Sequence, residues 1–351
     1  MTLNYTETVA LIAAFKQEQK PTTFLKSRYF PDGRTFATDE VIVEYQDGNQ
    51  KIAPFVVPEK DGKLVDRDKY VAEAYQPAYI APKRALTIDT LKKKGFGEAL
   101  YAELTPEQRA LKITADDLVD MEKMIVRREE EMCSQVLQNN KLVMNHQTDD
   151  NSKPIVKHIT FYTEGSNPAI YAPAELWTSA DADIIADVAA MADQLGERGL
   201  PATDVILGAE AAAAFLNNEK ILKLLDNRNY NIGAIDPTEG FNGATLLGVL
   251  NCNGHKMNFI SYVAKYEAED GTLTPYINPK DVIVTAPNCG VTNYGAITQI
   301  DFGAADFKTY EGKRVPLYSV KDQVKTVSLR TAPLVQPNAK SPFLKATVVG
   351  E

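Results

Sequence analysis

The sequence predicts an α+β fold, in which helices and strands are mixed without regular alternation. Two observations lead to this prediction. One long amphipathic helical pattern follows Thr114, and from residue 244 onward the apolar residues group into short runs typical of strands. The length of 351 residues allows two or three domains with a substantial core.

The N-terminal segment carries one helical signal and one turn signal. Its apolar run, residues 9–15, predicts an amphipathic helix that ends near Pro21. The run is shorter than the roughly 20 apolar residues of a membrane helix, and no basic region of a signal peptide precedes it. Residues 22–37 are expected to be irregular, with a turn at Pro31-Asp32-Gly33.

The segment from about 38 to 85 contains strand patterns and turn signals but little that could form its own core. An alternating run at 41–45 is followed by a turn at Asp47-Gly48-Asn49 and a second apolar run at 52–57. A two-stranded ribbon is marginally stable alone in water, and prolines block ladder hydrogen bonds. We therefore expect an arm that packs on a neighbouring subunit, with an ordinary surface hairpin as the alternative. The candidate contact residues are Val41, Val43, Tyr45, Ile52, Phe55, Val57, Tyr75 and Tyr79.

A long central helix is the clearest single element. Thr105-Pro106-Glu107 is one start signal, and Thr114 to Asp117 is a stronger capping signal. We therefore predict a helix over about 114–140, roughly 38 Å long. Its predicted core face consists of Leu118, Met121, Ile125, Met132 and Val136, and its predicted polar face of Arg127, Arg128, Glu129, Glu130 and Glu131.

The remaining elements follow from shorter patterns. A pair of strands is expected within 141–163 and a helix over 180–195, capped by the segment 178–181. Two short helices are expected at 209–216 and 219–225. The predicted strands are 204–207, 245–250, 257–263, 273–276, 282–285, 323–330 and 344–349.

No constellation of residues indicates catalysis or cofactor binding. Cys133, Cys252 and Cys289 lie far apart and form no CxxC pair, so we expect buried free thiols in a reducing compartment and no zinc site. The three histidines are scattered, and neither a phosphate-binding loop nor a GxSxG serine motif occurs. We therefore expect no catalytic residue, no cofactor and no metal.

Three weaker signals also favour ordinary surface roles. Asp149-Asp150-Asn151 lacks the glycine and distal glutamate of a calcium loop and is interpreted as a solvated turn. Gly95-Phe96-Gly97 follows a lysine run at 92–94 and not a strand, so it does not match a dinucleotide-binding loop. The net charge of −9 argues against sequence-independent DNA binding, which requires a basic surface.

The order of these elements resembles the Hong Kong-type major capsid fold of tailed bacteriophages, and local sequence is similar to the lambda-type major head protein family. The resemblance spans nearly the whole chain. The stretches that carry it are Tyr75 to Lys83, Glu219 to Arg228, Val282 to Pro287, Tyr294 to Gln299, and Arg330 to Val335. No residue aligns with the lysine, asparagine or glutamate that crosslink the subunits of some relatives.

The resemblance implies a division of the chain into functional parts. Residues 1–37 are expected to form an N-terminal arm and 38–85 an E-loop that lies over the adjacent subunit. A P domain is expected over 86–165 and 292–351, built on the long helix as its spine, and an A domain over 166–291. Because only about 37 residues precede the loop, no fused scaffolding domain is expected.

The resemblance also implies an assembly. The chain is expected to form hexamers and pentamers that close into an icosahedral head shell around double-stranded DNA, without binding that DNA specifically. The implied partners are further copies of the chain, a scaffolding protein, a portal and, as a further candidate, a decoration protein. The expected location is the virion, with assembly in the host cytoplasm and no membrane association.

Three alternatives remain at this stage. An encapsulin-like shell of a cellular nanocompartment shares the fold but holds protein cargo, so packaged contents would discriminate. A metabolic α/β enzyme would show a saturable ligand response at one pocket. An accessory phage protein, such as a decoration or tail subunit, fits the length and the arm less well than the main shell protein.

Overall fold

The computed structural model describes residues 21–38, 41–46, 70–88, 106–146, 155–162, 167–179, 181–225, 243–301, 305–321 and 324–350. Within these ranges the helices are α1 (Phe24–Tyr29), α2 (Pro106–Asn139), α3 (Ile184–Glu197), α4 (Ala209–Asn217) and α5 (Glu219–Leu225). None of these helices is both long enough and apolar enough to cross a membrane. Helices and strands are mixed without regular alternation, so the predicted α+β class is confirmed.

The largest sheet has six strands in the order β7-β20-β13-β8-β10-β9. It is mixed, because β8 runs parallel to β10 and antiparallel to β13. The strands are β7 (Ile170–Tyr171), β8 (Asp204–Leu207), β9 (Thr245–Cys252), β10 (His255–Ser261), β13 (Asp281–Thr285) and β20 (Leu344–Thr347).

Two three-stranded sheets and four two-stranded ribbons complete the fold. The sheets have the orders β1-β14-β19 and β17-β18-β4, and the ribbons are β2-β3, β5-β6, β11-β12 and β15-β16. The strands of the sheets are β1 (Asp32–Thr35), β4 (Lys83–Leu86), β14 (Gly290–Tyr294), β17 (Val315–Lys321), β18 (Val324–Arg330) and β19 (Pro333–Pro337). The strands of the ribbons are β2 (Val41–Gln46), β3 (Tyr70–Tyr75), β5 (Lys141–His146), β6 (Ile155–Thr160), β11 (Lys265–Glu267), β12 (Leu273–Pro275), β15 (Ile297–Ile300) and β16 (Phe307–Tyr310).

The six-stranded sheet is buried on both faces, which explains why β8 is a continuous apolar run after its first residue. Successive side chains of a strand point to opposite faces. Val205 and Leu207 therefore pack in one core with α3 and α4, whereas Ile206 packs in a second core with α1 and α2. The sheet thus joins two hydrophobic cores.

Helix α2 is longer than the sequence analysis predicted. It begins at Pro106, where the sequence gives the weaker of the two predicted start signals. Thr114, at the stronger signal, lies inside the helix. Proline is favoured at the first helical position because its missing N–H needs no partner there. The 34 residues span about 51 Å. The predicted end is confirmed, since Asn140 adopts the left-handed conformation (φ 50°) that commonly follows a helix.

The polar face predicted for α2 is wrong for three of its five members. Glu129, Glu130 and Glu131 are all buried, whereas Arg127 and Arg128 are exposed. The reason is that other elements cover this side of the helix too. The predicted apolar face is confirmed where Met121 and Ile125 pack against strand β18.

Several shorter elements differ from the prediction. Helix α3 begins at Ile184 and not at 180, because Asp183 is the capping residue and its carboxylate accepts a hydrogen bond from the amide of Ala186 (3.1 Å). The segment 22–37 is not irregular, since it contains α1 and β1. The turn expected at Pro31-Asp32-Gly33 is instead the start of β1, which pairs in parallel with β14.

The predicted division into P and A domains stays a prediction. Strand β20 comes from the segment expected in the P domain, yet it pairs with β13 from the segment expected in the A domain. The two segments therefore share the six-stranded sheet. The predicted helix at 9–15 lies outside the described residues.

Candidate assembly surfaces and the buried carboxylate cluster

The proposed arm contains a two-stranded ribbon whose strands, among the described residues, pair only with each other. In β2, Val41 pairs directly with Tyr75 and Tyr45 with Val71. Directly opposite residues of an antiparallel pair lie on the same face. The register therefore places one set of six residues on the same face: Val41, Val43 and Tyr45 of β2, and Val71, Glu73 and Tyr75 of β3.

Tyr75 anchors the base of this ribbon to the chain's own core. Its ring lies against Phe161 (centroids 5.6 Å apart), and its hydroxyl donates a hydrogen bond to the carbonyl of Thr160 (3.4 Å). Beyond this anchor, the amide of Ala78 donates to the carbonyl of Pro333 (3.2 Å). Tyr79, in contrast, is 48% exposed. The segment from Tyr75 to Ala78 is therefore attached to the chain's own core.

The other predicted contact residues fall outside the part of the chain that the structure describes. Strand β2 confirms the extended pattern of Val41, Val43 and Tyr45, and its partner is β3, in a stretch expected only to be extended. Ile52, Phe55 and Val57 lie in the segment 47–69, which is not described. Their role in contacts between subunits stays a prediction.

A second apolar surface lies on the first half of α2. Leu111 is 74% exposed, Val119 is 47% exposed, and Ala115 between them is exposed as well. Residues four apart lie on one side of a helix. The three side chains therefore form an exposed apolar ridge, whose residues the sequence analysis assigned to neither face of the helix.

The second half of α2 carries a buried carboxylate, Glu129, that holds three separate segments together. Arg314, just before β17, contacts both carboxylate oxygens (2.8 and 3.1 Å). The ammonium of Lys26 on α1 lies 2.6 Å away, and the hydroxyl oxygen of Tyr294 on β14 lies 3.4 Å away. Two cations thus balance one fully buried carboxylate.

One cation of this cluster, Lys26, is shared with the carboxylate of Asp32. Lys26 lies 3.1 Å from it and Lys313 lies 2.7 Å from it, and Tyr294 donates a hydrogen bond (2.8 Å). Burial raises the pKa of Asp32, but these donors and charges lower it by more, so that the pKa falls to about 2. Asp32 is therefore ionised at all ordinary pH values.

Glu130, the next residue of α2, holds the start of α1. Its carboxylate accepts hydrogen bonds from the amides of Leu25 (2.7 Å) and Lys26 (2.9 Å) and from the hydroxyl of Tyr262 (2.8 Å). Desolvation by burial outweighs these hydrogen bonds and raises the pKa of Glu130 to about 7.

The opposite side of α1 is attached to the six-stranded sheet through Asp204, the first residue of β8. Its carboxylate is contacted by the guanidinium of Arg28 (2.6 Å), the hydroxyl of Tyr29 (3.0 Å) and the amide of Asn258 (2.8 Å). Helix α1 therefore lies between α2 and the sheet, with polar attachments on both sides. The sequence analysis missed this helix, because six residues are too few for a clear periodic signal.

The three cysteines are buried and free, as predicted. Burial raises the pKa of the Cys252 and Cys289 thiols to about 12. In the ranges that the structure describes, no three His, Cys, Asp or Glu side chains converge as metal ligands. The segment 149–151, interpreted as a solvated turn, lies outside those ranges.

Comparison with known proteins assigns the family. The family model for phage major capsid protein E matches residues 7–348. The chain belongs to this family. It is therefore a structural protein of the phage head shell and not an enzyme, and shell formation implies that copies of it associate with one another. The match favours the phage capsid over the cellular nanocompartment and the enzyme considered above.

Individual relatives agree with this assignment. The chain is 23% identical over 301 residues to the major capsid protein of Enterobacteria phage P21, covering 82% of each chain, and equally similar to the P21 prophage-derived major head protein of Escherichia coli O6:H1 strain CFT073. A crystal structure of a prophage capsid protein from E. coli CFT073 superposes with a TM-score of 0.64 at 18% identity, covering 99% of this chain and 100% of the other. The capsid fold is thereby confirmed, whereas the lambda-type assignment within it stays a prediction.

Proposed function

We propose that this capsid protein forms hexamers and pentamers that close into the icosahedral shell around phage DNA, and that the E-loop packs on the neighbouring subunit. One observation supports the mechanism. The β2-β3 ribbon pairs only with itself among the described strands, and Tyr75 at its base packs on Phe161 of the chain's own core. A two-stranded ribbon is only marginally stable on its own, so it gains stability by packing on another copy.

The energetics favour this arrangement. Fully burying a valine or a larger apolar side chain is worth about 1.5–3 kcal/mol. Val41, Val43 and Tyr45 lie on one ribbon face, so several such contacts per subunit are available at each interface. Association costs translational and side-chain freedom, but contacts repeated around a closed ring offset that cost for every subunit.

We further propose that the apolar ridge of α2 is part of the surface that receives a neighbouring copy. Leu111, Ala115 and Val119 present a continuous apolar line that is exposed in the described structure. Substituting Leu111→Glu should then reduce shell yield without changing the fold of the subunit, as circular dichroism can verify. Glu107→Gln, at an exposed site one turn earlier, is the matched control and should assemble normally.

A deletion tests the central mechanism directly. Since Ile42 pairs with Ala74, residues 43–73 can be replaced by a two-residue Asn-Gly hairpin turn without moving the Tyr75 anchor. We expect a variant that unfolds cooperatively but elutes as a small species in gel filtration and forms no shells by negative-stain electron microscopy. Normal shells from this variant would refute the role of the loop, whereas outright unfolding would show that the loop belongs to the core.

Point variants separate the ribbon face from the rest of the loop. Val43→Lys places a cation on the face shared with Val41 and Tyr45. Because Val43 lies opposite Glu73, the new charge has an opposite charge across the ribbon, so the variant should abolish assembly while leaving the subunit folded. Glu44→Gln, which alters the adjacent position on the other face, is the matched control. If both variants assemble equally well, this face of the ribbon is not an interface.

The remaining partners are proposed on the family resemblance. A separate scaffolding protein should make shell size uniform on co-expression, and a portal should occupy one vertex. A decoration protein is a further candidate, testable by binding to finished shells. The net charge of −9 argues against sequence-independent binding of the enclosed DNA, so the unassembled subunit should not retard DNA in a gel.

A further inference from the structure

Glu130 is a buried ionisable group that shell formation by itself does not require. It lies in the middle of the junction between α1 and the spine helix, with no exposed surface. Two main-chain amides and one tyrosine hydroxyl point at its carboxylate. Hydrogen bonds from neutral donors offset only part of the desolvation cost of an ionised carboxylate, so burial still disfavours the charged form of Glu130.

The hydrogen bonds around Glu130 fit either of its protonation states. The hydroxyl of Tyr262 lies 2.8 Å from the Glu130 carboxylate and 3.2 Å from the hydroxyl of Thr22. When Glu130 is ionised, Tyr262 donates its single hydrogen to Glu130. When Glu130 is neutral, its own proton can be donated to the Tyr262 oxygen, and Tyr262 then donates to Thr22.

The charges that surround Glu130 do little to favour its ionised form. The titratable groups that face it are Lys26 on α1, Glu129 and Cys133 on α2, Tyr262 after β10, and Tyr276 after β12. Lys26 is the cation among them, and its ammonium is directed at Glu129 (2.6 Å) and Tyr294 (3.0 Å). Burial therefore dominates, and the pKa of Glu130 rises from 4.5 to about 7.

The cover over Glu130 is largely α1 itself. Phe24 and Leu25 are buried side chains of that helix, and both amides that contact the carboxylate belong to it. If α1 leaves this position, water reaches Glu130 and its pKa returns towards the ordinary value. The docked state therefore binds the proton more tightly than the undocked state, and linkage requires that acid favour docking.

We propose that docking of the N-terminal segment, residues 22–30, on the spine helix takes up one proton at Glu130, so that the segment is held tightly in acid and loosens as the pH rises towards neutrality. The Glu130–Tyr262–Thr22 chain accommodates the proton without breaking either amide contact. The proposal concerns one subunit and does not depend on the E-loop mechanism.

Hydrogen exchange of the purified full-length chain measures this coupling. Protection factors for a peptide covering residues 22–30, corrected for the intrinsic pH dependence of exchange, report the docking equilibrium. With pKa values of 4.5 undocked and about 7 docked, the opening constant should rise roughly 25-fold between pH 5.5 and 8.0. Constant wild-type protection across this range would overturn the proposal.

Variants assign the effect to Glu130. Glu130→Gln cannot titrate, so its protection should be independent of pH, even where the amide side chain lowers protection at every pH. Glu210→Gln changes an exposed glutamate on α4 and should keep the wild-type pH dependence. A Glu130→Gln protein that still loses protection as the pH rises would also overturn the proposal.

Infrared spectroscopy of the wild-type protein gives a second measurement, which does not require Glu130→Gln to fold. The wild-type protein should show the band of a protonated buried carboxylic acid at pH 6, and this band should be lost by pH 8.5. Because Glu131 is also buried and the pKa of its carboxyl is also raised by burial, the band must persist in Glu131→Gln. A spectrum with no such band, or a band removed by Glu131→Gln, contradicts the proposal.

Discussion

Replacing Arg314 by alanine should destabilise the unassembled subunit by about 3 kcal/mol. Arg314 makes two contacts with the fully buried Glu129 (2.8 and 3.1 Å) and a third with Glu122 (2.6 Å). Removing one partner of a buried ion pair costs roughly 3–5 kcal/mol because the other charge stays buried. We take the lower limit, since Lys26 still lies 2.6 Å from Glu129.

Urea denaturation of the subunit, followed by far-ultraviolet circular dichroism, measures this loss. Arg127→Ala removes an exposed arginine from the same region of α2 and should cost less than about 0.5 kcal/mol. Arg314→Lys retains the charge but not the two-point contact with Glu129. Its loss of unfolding free energy should therefore lie between those of Arg314→Ala and Arg127→Ala. Equal midpoints for Arg314→Ala and Arg127→Ala would refute the view that the Glu129 cluster requires both cations.

Two further predictions concern the core. Gly208→Ala should destabilise the subunit by about 1–3 kcal/mol, because an added Cβ would lie 2.2 Å from the carbonyl oxygen of Asn278. The control Gly248→Ala should be tolerated, because its added Cβ meets nothing within 4 Å. Thermal unfolding compares the stabilities of the two variants. A thiol reagent at pH 8 should label none of the three cysteines in the native subunit and all three in urea. The reason is that burial raises the pKa of each thiol and excludes the reagent. Rapid labelling of the native subunit would contradict this prediction.

The elements predicted best from sequence are those whose residues carry a complete periodic pattern. Strand β8 and helices α4 and α5 were placed correctly or within one residue, because their apolar residues determine structure locally. The spine helix was identified but its start was displaced to residue 114. The capping signal there is a local preference, and the helix continues through it because residues 107–112 are themselves strong helix formers.

The elements missed are those that depend on distant partners. Strand β1 has four exposed residues and no apolar pattern, and it forms because it can pair with β14, more than 250 residues later in the chain. Of the candidate contact residues, sequence placed Val41, Val43 and Tyr45 correctly in a strand. It did not reveal that Tyr75 anchors the ribbon within its own subunit, since the contact with Phe161 is tertiary.

The burial of the three glutamates of α2 also could not be predicted from the sequence, because it depends on distant segments. Charged residues in sequence indicate a solvated face, because an unpaired buried charge is costly. Here Lys26 and Arg314 reach Glu129 from segments about 100 residues before and 185 residues after it. No local pattern reports that two cations from such distant segments converge on one helix.

A buried ion cluster of this kind is a poor source of stability, because desolvation cancels most of the attraction. The geometry of its contacts, however, restricts how the joined segments can be positioned on α2. Arg314 meets Glu129 at two points, and Glu130 meets two successive amides of α1, so neither segment can slide along α2 without leaving a buried charge or donor unpaired. An apolar junction would tolerate such sliding. We infer that the cluster fixes the position of the N-terminal segment relative to the spine helix, and that a shell subunit, which must present the same surfaces to every neighbour, gains from this precision more than from additional stability.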